Sequence, residues 1–521
     1  MATPSLAMIP SAYADSKLYS VLPNNGDGDF TFNRDSSATR IGQNGLIQEV
    51  GYFGNDLVSN GDFSNGSTDW GLGSNWSVAN GKASCDGSAS NSMSQASTVG
   101  IASTTFKVSY DVLSISQGSI RITLGGVAGA SASQTGSYSD FITATSTDRL
   151  RIFADSSAIA SIDNIIVQQV TGDQPRLNYD ISNGVVQSCP SLLLEPASTN
   201  LITYSEDLTQ SDWSKNSITV ESNAIISPDG TQNADKITKS ASNALIRQFI
   251  TTTGANTFSV YVKKGSLYWV RLYIASSTES AECWFDLENG LTGFTSGNPE
   301  SVEIVSLSNG WYKCIITKNT TDITNFRIYP SQADDDTSGT SGDIYIYGAQ
   351  VETLSYATSY IPTNGASQTR AAETCLNAGT ASTFNDSEGV LYAEIAALSD
   401  DGTSRRISLS DGSISNRISL EIDETANRLK LFVDSSVLTA NGITLTNFNK
   451  IAAKYKANDY ALWVNGEPVA TLTTQSNVPT GLEKLDFAGA LGGNDFYGNC
   501  KDIRVYNEAL TDAQLQTLTT L

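Results

Sequence analysis

Histidine is absent from all 521 residues. That removes the imidazole general base, the Ser-His-Asp and Cys-His arrangements, and the commonest zinc ligand. Chemistry carried by carboxylates alone stays open. The six cysteines (Cys85, Cys189, Cys283, Cys314, Cys375 and Cys500) are scattered, so the short spacings of zinc sites and redox motifs are missing too. Cys283 and Cys314 fall in neighbouring predicted strands and could pair. The simpler expectation is buried free thiols in a chain made in a reducing cytosol.

Positive charge is also scarce. Lys and Arg number 31 against 54 Asp and Glu, a net charge of −23. Nucleic acid and anionic membrane surfaces must be neutralised by cations, so neither is an expected partner. Such a surface favours solubility and repulsion between loose monomers. No stretch approaches the roughly 18 continuous apolar residues of a spanning helix, so membrane insertion is not expected. Ala12-Tyr13-Ala14 looks like a signal-cleavage site. However, no Lys or Arg precedes Lys17, and Pro4 and Pro10 interrupt the apolar run, so a secretory signal is not expected.

What is present is polar and strand-forming. Charged residues are only 16% of the chain, and Gly, Ser, Thr and Asn are abundant, the composition of a polar-surfaced β protein. At roughly 100–200 residues per domain, three or four domains are expected. "TFKVSYDVLSI" (residues 105–115), "SIRITLGGV", "TFSVYVKKG", "WVRLYIASS", "GDIYIYGAQV" and "RLKLFVDSS" alternate apolar with polar or aromatic residues between turn-forming clusters. Helical periodicity is convincing only in "LTDAQLQTL", where Thr511 as N-cap and Gln514 three residues later form a capping-box pattern. The fold class is therefore all-β and multidomain, with several jelly-roll β-sandwiches and a small N-terminal β scaffold.

Two modules share a layout. One opens with "NGDFSNGSTDW" (60–70) and closes with "IDNIIVQQV" (162–170). The other opens with "YSEDLTQSDW" (204–213) and closes with "GDIYIYGAQV" (342–351). Each opening run is polar and ends in Asp-Trp, and each closing strand is led by Asp. Further on, "KIAAKYKANDYALWVNGEPVATL" (450–472) predicts a strand, a turn at Asn458-Asp459, a strand, a hairpin at Asn465-Gly466 and another strand.

The "ALWVNGEPV" hairpin and the closing "YGNCKDIRVYNEALT" resemble laminin-G-like, concanavalin A-like jelly rolls, and the two earlier sandwiches resemble carbohydrate-binding-module jelly rolls. A longer pattern runs through "KLYSVLP…GDFTFNRDSSATRIGQNGLIQEV", "PRLNYD" (175–180), "CPSLLLEPASTNLITYSED" (189–207) and "GAQVE…SYATSYIPT…TRAA". It resembles tailed-bacteriophage virion appendage proteins of the head spike, head fibre or tail fibre type. In that family the first segment runs almost directly into "PRLxY", whereas here an extra stretch intervenes. The resemblance therefore implies a scaffold of 1–50 and 172–200 split by an inserted jelly roll at 51–171. A second jelly roll follows at 201–355, then an extended arm at 356–375 and a laminin-G/concanavalin A-like jelly roll at 376–521. Insertion into an exposed loop is tolerated when the guest's ends lie close together. In the arm, Tyr356 and Tyr360 are expected to bury their rings while their hydroxyls find polar partners, and Pro362 to stop strand continuation.

The implied function is non-enzymatic: a structural virion protein, a head or tail fibre or spike displaying glycan-binding sandwiches for host or surface attachment. It would be assembled in the host cytoplasm and exposed on the particle. Expected partners are other virion proteins (capsid or tail), two further copies in a homotrimer and a host-surface glycan. Two alternatives stand beside it: an architectural capsid decoration protein that binds no sugar, and a glycan depolymerase. For the last, "LEIDETANR" offers Glu421, Asp423 and Glu424, evoking a Glu-x-Asp-x-x-Glu glycosidase strand, but Ala426 stands where the final Glu would be. The same residues read as a turn between two strands. "NNGDGDF" and "ADDDTSGTSGD" are oxygen-rich turns without EF-hand spacing. The module resemblance implies a structural calcium near the last strand, for which Asp163 and Asp343 are the candidates. Sugar sites need exposed aromatic faces. The tryptophans are Trp70, Trp76, Trp213, Trp269, Trp284, Trp311 and Trp463, and the carbohydrate-binding candidates are Trp76, in the Gly/Ser/Asn-rich "GLGSNWSV", then Trp70 and Trp213.

Overall fold

The computed structural model describes residues 2–521 except 156, 183 and 435, and backbone alone at 52, 130, 141, 171 and 172. The protein is all-β and multidomain. It divides into two compact units, one of Gly51–Gly172 with Thr363–Ser367, the other of Met1–Val50, Asp173–Pro362 and Gln368–Leu521. Among the described residues no helix is long and apolar enough to cross a membrane.

The smaller unit is a sandwich. One sheet is centred on Thr105–Gln117 and Ile159–Gly172, and the facing sheet on Asn91–Gly100, Asp148–Ala154 and Ile120–Leu124. Strict alternation in Thr105–Gln117 turns Phe106, Val108, Tyr110 and Val112 into a core shared with Met93, Ile122, Leu150 and Ile152.

The larger unit contains two sandwiches. Its C-terminal one opposes a five-stranded sheet (Ser436–Asn441, Arg428–Val433, Arg417–Ile422, Arg405–Ser410, Lys484–Asp486) to a larger sheet. That larger sheet contains Gly498–Tyr506, Glu388–Ala397, Asn449–Lys456, Tyr460–Val464 and Glu467–Leu472. Asn465 and Gly466 both have positive φ (52° and 89°), the type I′ geometry that matches strand twist at a two-residue hairpin. The helix Asp512–Thr519 carries the capping box, with Thr511 accepting from the Gln514 N–H and Gln514 returning to the Thr511 N–H, and it buries Leu515 and Leu518. N-terminal strands enlarge this sandwich. Leu6–Met8 and Ser191–Leu194 pair with Gly498–Tyr506, and Arg176–Asn178 adds beyond Ser191–Leu194. Leu6, Met8, Leu192 and Leu194 lie in one core with Leu391, Ile451 and Leu420. Sequence stretches expected to act as a separate scaffold thus complete the C-terminal core.

The middle sandwich is one sheet folded over itself. Its corner is Trp311–Ser331, a strand of 21 residues. The first half of this strand pairs with Thr252–Lys264 and Ser301–Ser306, the second half with Trp269–Ser276 and Leu245–Gln248.

A buried ionic clasp binds these pieces. Arg34, Arg176, Arg370, Glu195 and Glu373 are each at most 2% exposed. Glu373 takes Arg34 Nη1 at 2.9 Å, Arg176 Nε at 2.8 Å and the Glu195 N–H at 2.9 Å. Glu195 takes Arg176 at 2.6 Å, Arg370 at 3.0 Å and the Ser359 hydroxyl at 2.7 Å. Burial alone would raise the Glu195 carboxyl, but Arg370, then Arg176 and the hydrogen bonds, hold it at about 2. The stretches quoted above that contain "FNRDS", "PRLNYD", "LLLEPASTN" and "SYIPT…TRAA" supply Arg34, Arg176, Glu195, Ser359 and Arg370, and Glu373 follows directly after the last of them. The arm is therefore a structural strap. Tyr360 is 2% exposed, its ring against Tyr261 and Tyr347 and its hydroxyl on Ser205 and Glu206. Tyr356 is half-buried beside Arg405.

Candidate functional site

The folded-over sheet leaves one face outside the core, and strand alternation decides what stands on it. Val270, Leu272 and Ile274 enter the core, so Trp269, Arg271 and Tyr273 take the other face. In the same way Phe326 and Ile328 go in while Arg327 and Tyr329 go out, and Ile246 goes in while Arg247 goes out. Register then assembles two rows. Tyr329, Arg271 and Trp284 are neighbours in one row, and Arg247, Arg327, Tyr273 and Glu282 in the next. The Arg271 guanidinium lies 3.6 Å from the Tyr329 ring centroid and 4.9 Å from that of Trp284, with Glu282 3.4 Å away. Arg327 lies over Tyr273 at 4.8 Å and Arg247 over Phe249 at 4.5 Å. One end of the face is covered. Phe294 meets Trp284 edge-on at 5.7 Å, and the Gly293 backbone sits so close to Trp269 that a Cβ there would come within 2.6 Å of its ring. The other end is open: Tyr273, Arg247 and Arg327 are half-buried and Phe249 is 64% exposed. Flat aromatic rings beside fixed polar forks suit a sugar, whose ring faces stack and whose hydroxyls hydrogen-bond.

The tryptophans chosen from sequence lie elsewhere. Trp76 and Trp70 are each 6% exposed, inside the core of the smaller unit, and Trp213 is 1% exposed. Their indole N–H groups are spent on backbone carbonyls, Trp70 on Asn60 at 2.9 Å and Trp213 on Tyr204 at 2.8 Å. That explains the shared Asp-Trp ending: each indole closes the loop back onto its first residue. These three rings offer no exposed face for stacking, and Trp284, Trp311 and Trp463 are buried as well. Of the seven tryptophans, Trp269 and Trp284, neither of them among the three candidates, belong to the candidate face. Sequence reasoning missed Arg247, Arg271, Arg327, Tyr273 and Tyr329. Their signal was there as the triplets Arg247-Gln248-Phe249, Arg271-Leu272-Tyr273 and Arg327-Ile328-Tyr329, an arginine and an aromatic on the same side of three strands.

The calcium candidates do not gather a donor set. Both Asp343 oxygens are taken by Ser266, through its N–H at 3.2 Å and hydroxyl at 2.9 Å. Asp163 stands opposite Asp111, and its carboxyl is pushed up by burial and by Asp62 and Asp111. Among the described residues no group of three or more acidic or thiol side chains is arranged to hold a metal. Cys283 and Cys314 are both buried and free, and burial pushes the Cys283 thiol up to about 12.

Carboxylates elsewhere are placed for structure. Residues 423–427 form the turn between Arg417–Ile422 and Arg428–Val433, with Asn427 at φ 58°. Glu421 is held by Ser404 at 2.7 Å and Arg406 at 3.1 Å, and Asp423 by Arg428 and by Lys430 at 2.9 Å. Against burial, those two cations keep Asp423 at about 2, so it cannot supply the proton a leaving group needs. A second group surrounds Glu206. Its carboxylate accepts from Tyr360 at 2.9 Å and Tyr347 at 3.1 Å, and Tyr347 also faces Asp229 at 3.1 Å. Burial, then the Asp229 charge, raises Glu206 to about 7, and burial raises Asp235 to about 7.

Comparison with known proteins places one of these sandwiches. Residues 376–516 match the family model of the concanavalin A-like lectin/glucanases superfamily. No curated protein matches the chain. Among solved structures, the Ruminococcus gnavus IT-sialidase CBM40 is similar at 19% identity and TM-score 0.24, over 27% of this chain and 92% of its own. Mouse laminin alpha1 chain domains LG4-5 are similar at 10% identity and TM-score 0.18, over 65% of this chain and 94% of theirs. Trypanosoma rangeli sialidase in complex with the inhibitor DANA is similar at 8% identity and TM-score 0.24, over 93% and 97%. Superpositions this loose carry no functional weight, and no catalytic activity follows from them.

Proposed function

We propose that this chain is a non-enzymatic structural component of a tailed-phage virion, a head or tail fibre or spike that displays β-sandwich modules to hold glycans on a host or other surface. The observation that carries the glycan half is the half-open aromatic and guanidinium face of the middle sandwich, with Tyr273, Arg327, Arg247 and Phe249 at its open end. The lectin-type family match of residues 376–516 supports it. The virion half rests on the long sequence pattern, which supplies Arg34, Arg176, Glu195 and Arg370 of the buried clasp. A homotrimer would give the display its strength: a millimolar site contributes only about −4 kcal/mol, whereas several copies gain roughly 10²–10⁴ in avidity.

The burial of Trp70, Trp76 and Trp213 favours the second reading, an architectural decoration protein that binds no sugar. A glycan array probed with the full chain separates the two. Binding that is lost in Tyr273→Ala supports display of glycan-binding modules, and a blank array leaves the architectural role. A cryo-electron microscopy map of the particle tests the virion assignment, which fails if no density on head or tail fits the chain.

A further inference from the structure

Arg247 and Arg327 stand directly opposite each other in neighbouring antiparallel strands. Like charges at such a position repel across about 5 Å, and sheets ordinarily avoid them. This chain has 54 carboxylates for 31 cations, so an acidic neighbour was the statistically easy choice. Among the described residues neither arginine has an ion pair. Arg327 is held by neutral groups, its Nε donating to Asn325 Oδ1 at 2.5 Å and Nη1 to the Tyr329 hydroxyl at 3.3 Å. Arg247 makes no side-chain hydrogen bond there, and its Nε is buried without a partner. Arg271, one row away and 8% exposed, also has an unpartnered Nε. Each of the three arginines is braced by an aromatic ring two residues on or across the ladder, at 3.6 to 4.8 Å. The Arg247 and Arg327 forks are therefore fixed in place with unused donors and no carboxylate partner among the described residues, next to Tyr273 and Phe249, while Arg271 is answered by Glu282 at 3.4 Å. That is a built receptor for an anion attached to a flat, stackable body.

We infer that the Arg247–Arg327 pair is the specificity element of this face and selects a saccharide carrying a carboxylate. Tyr273 or Phe249 stacks on the sugar ring, and the paired guanidinium groups take the carboxylate in bidentate fashion. This rests on the glycan-binding reading above and narrows it from sugars in general to acidic ones.

The test is calorimetric titration of the full chain with oligogalacturonate, oligoguluronate and an oligosialate, against methyl-esterified oligogalacturonate, neutral oligosaccharides and a carrageenan-derived hexasaccharide, which carries sulfate and no carboxylate. At least one carboxylated probe is expected to bind. Where it is the oligogalacturonate, esterification abolishes the binding. Arg247→Gln and Arg327→Gln each weaken it by about tenfold or more. Both variants relieve a like-charge contact, so their unfolding temperature is expected to hold or rise. Arg247→Lys, which keeps the charge but loses the fork, should also bind more weakly. Neutral sugars binding while all three carboxylated probes fail, or binding indifferent to both Gln variants, overturns this inference and leaves the broader glycan reading intact. Variant-sensitive binding of the sulfated hexasaccharide alone overturns the carboxylate assignment. No binding to any probe overturns both readings.

Discussion

Around Arg176, buried carboxylates face guanidinium groups; around Glu206, they face tyrosine hydroxyls and each other. Both groups lie in the larger unit and share the strap through Ser359 and Tyr360. In the clasp, three arginines answer Glu195 and Glu373, and the geometry keeps Glu195 ionised at about 2. In the other group no cation comes within ion-pair range of Glu206, Asp229 or Asp235 among the described residues, and Glu206 and Asp235 rise to about 7. Burial has the same sign in both places. What differs is whether a fixed positive charge is present to outweigh it.

The sharpest way to break the contrast is Glu373→Gln. It leaves Arg34 in the interior without its ion-pair partner and Arg176 with Glu195 alone, and is expected to cost about 3–5 kcal/mol, read from urea unfolding. A loss below about 1 kcal/mol would mean that water or neighbouring groups compensate the clasp. Next comes pH. The Glu195 carboxyl lies below its ordinary 4.5, so its contribution is present above about pH 4.5 and disappears as pH falls toward 2. Glu206 is raised to about 7 from 4.5, so its contribution is full below about pH 4.5 and disappears as pH rises through 7. Glu195→Gln should therefore flatten the acid limb of the stability profile, where about 3 kcal/mol is at stake. Glu206→Gln should flatten the limb between about pH 5 and 8. At pH 8 Glu206→Gln is expected to stabilise the protein by about 1–2 kcal/mol, discounted for partial solvent contact of that residue. An equal effect at pH 5 would refute the protonation account. The smallest expected change is Tyr347→Phe. It removes a hydroxyl lying between Glu206 and Asp229 and should cost about 1 kcal/mol, with the alkaline limb extending to higher pH because loss of that hydrogen bond raises the folded Glu206 carboxyl further.

Local features were legible wherever neighbours in sequence decide them. The capping box at Thr511, the hairpin at Asn465-Gly466 and the turn at 423–427 involve residues within a few positions of each other. Trp76 misled because its Gly/Ser/Asn-rich setting reads as an exposed loop. In the structure it begins the short strand Trp76–Ala79, whose pairing with Lys82–Asp86 turns the ring inward. The candidate face was half legible. The Arg-x-aromatic triplets show in the sequence, but their meeting depends on the fold-over of Trp311–Ser331.

The sequence by itself determined the all-β class, the alternation that sorts each strand into core and surface, the turns, the capped C-terminal helix and the exclusion of imidazole chemistry. These follow from short-range sterics and the two-residue period of a strand. Only the tertiary structure decided that Arg34 meets Glu373 across 339 residues, that N-terminal strands complete the C-terminal core, and that Arg247 faces Arg327. Those outcomes depend on which strands lie side by side and in what register. Both are set by burying the whole apolar surface at once, and no local stretch encodes them.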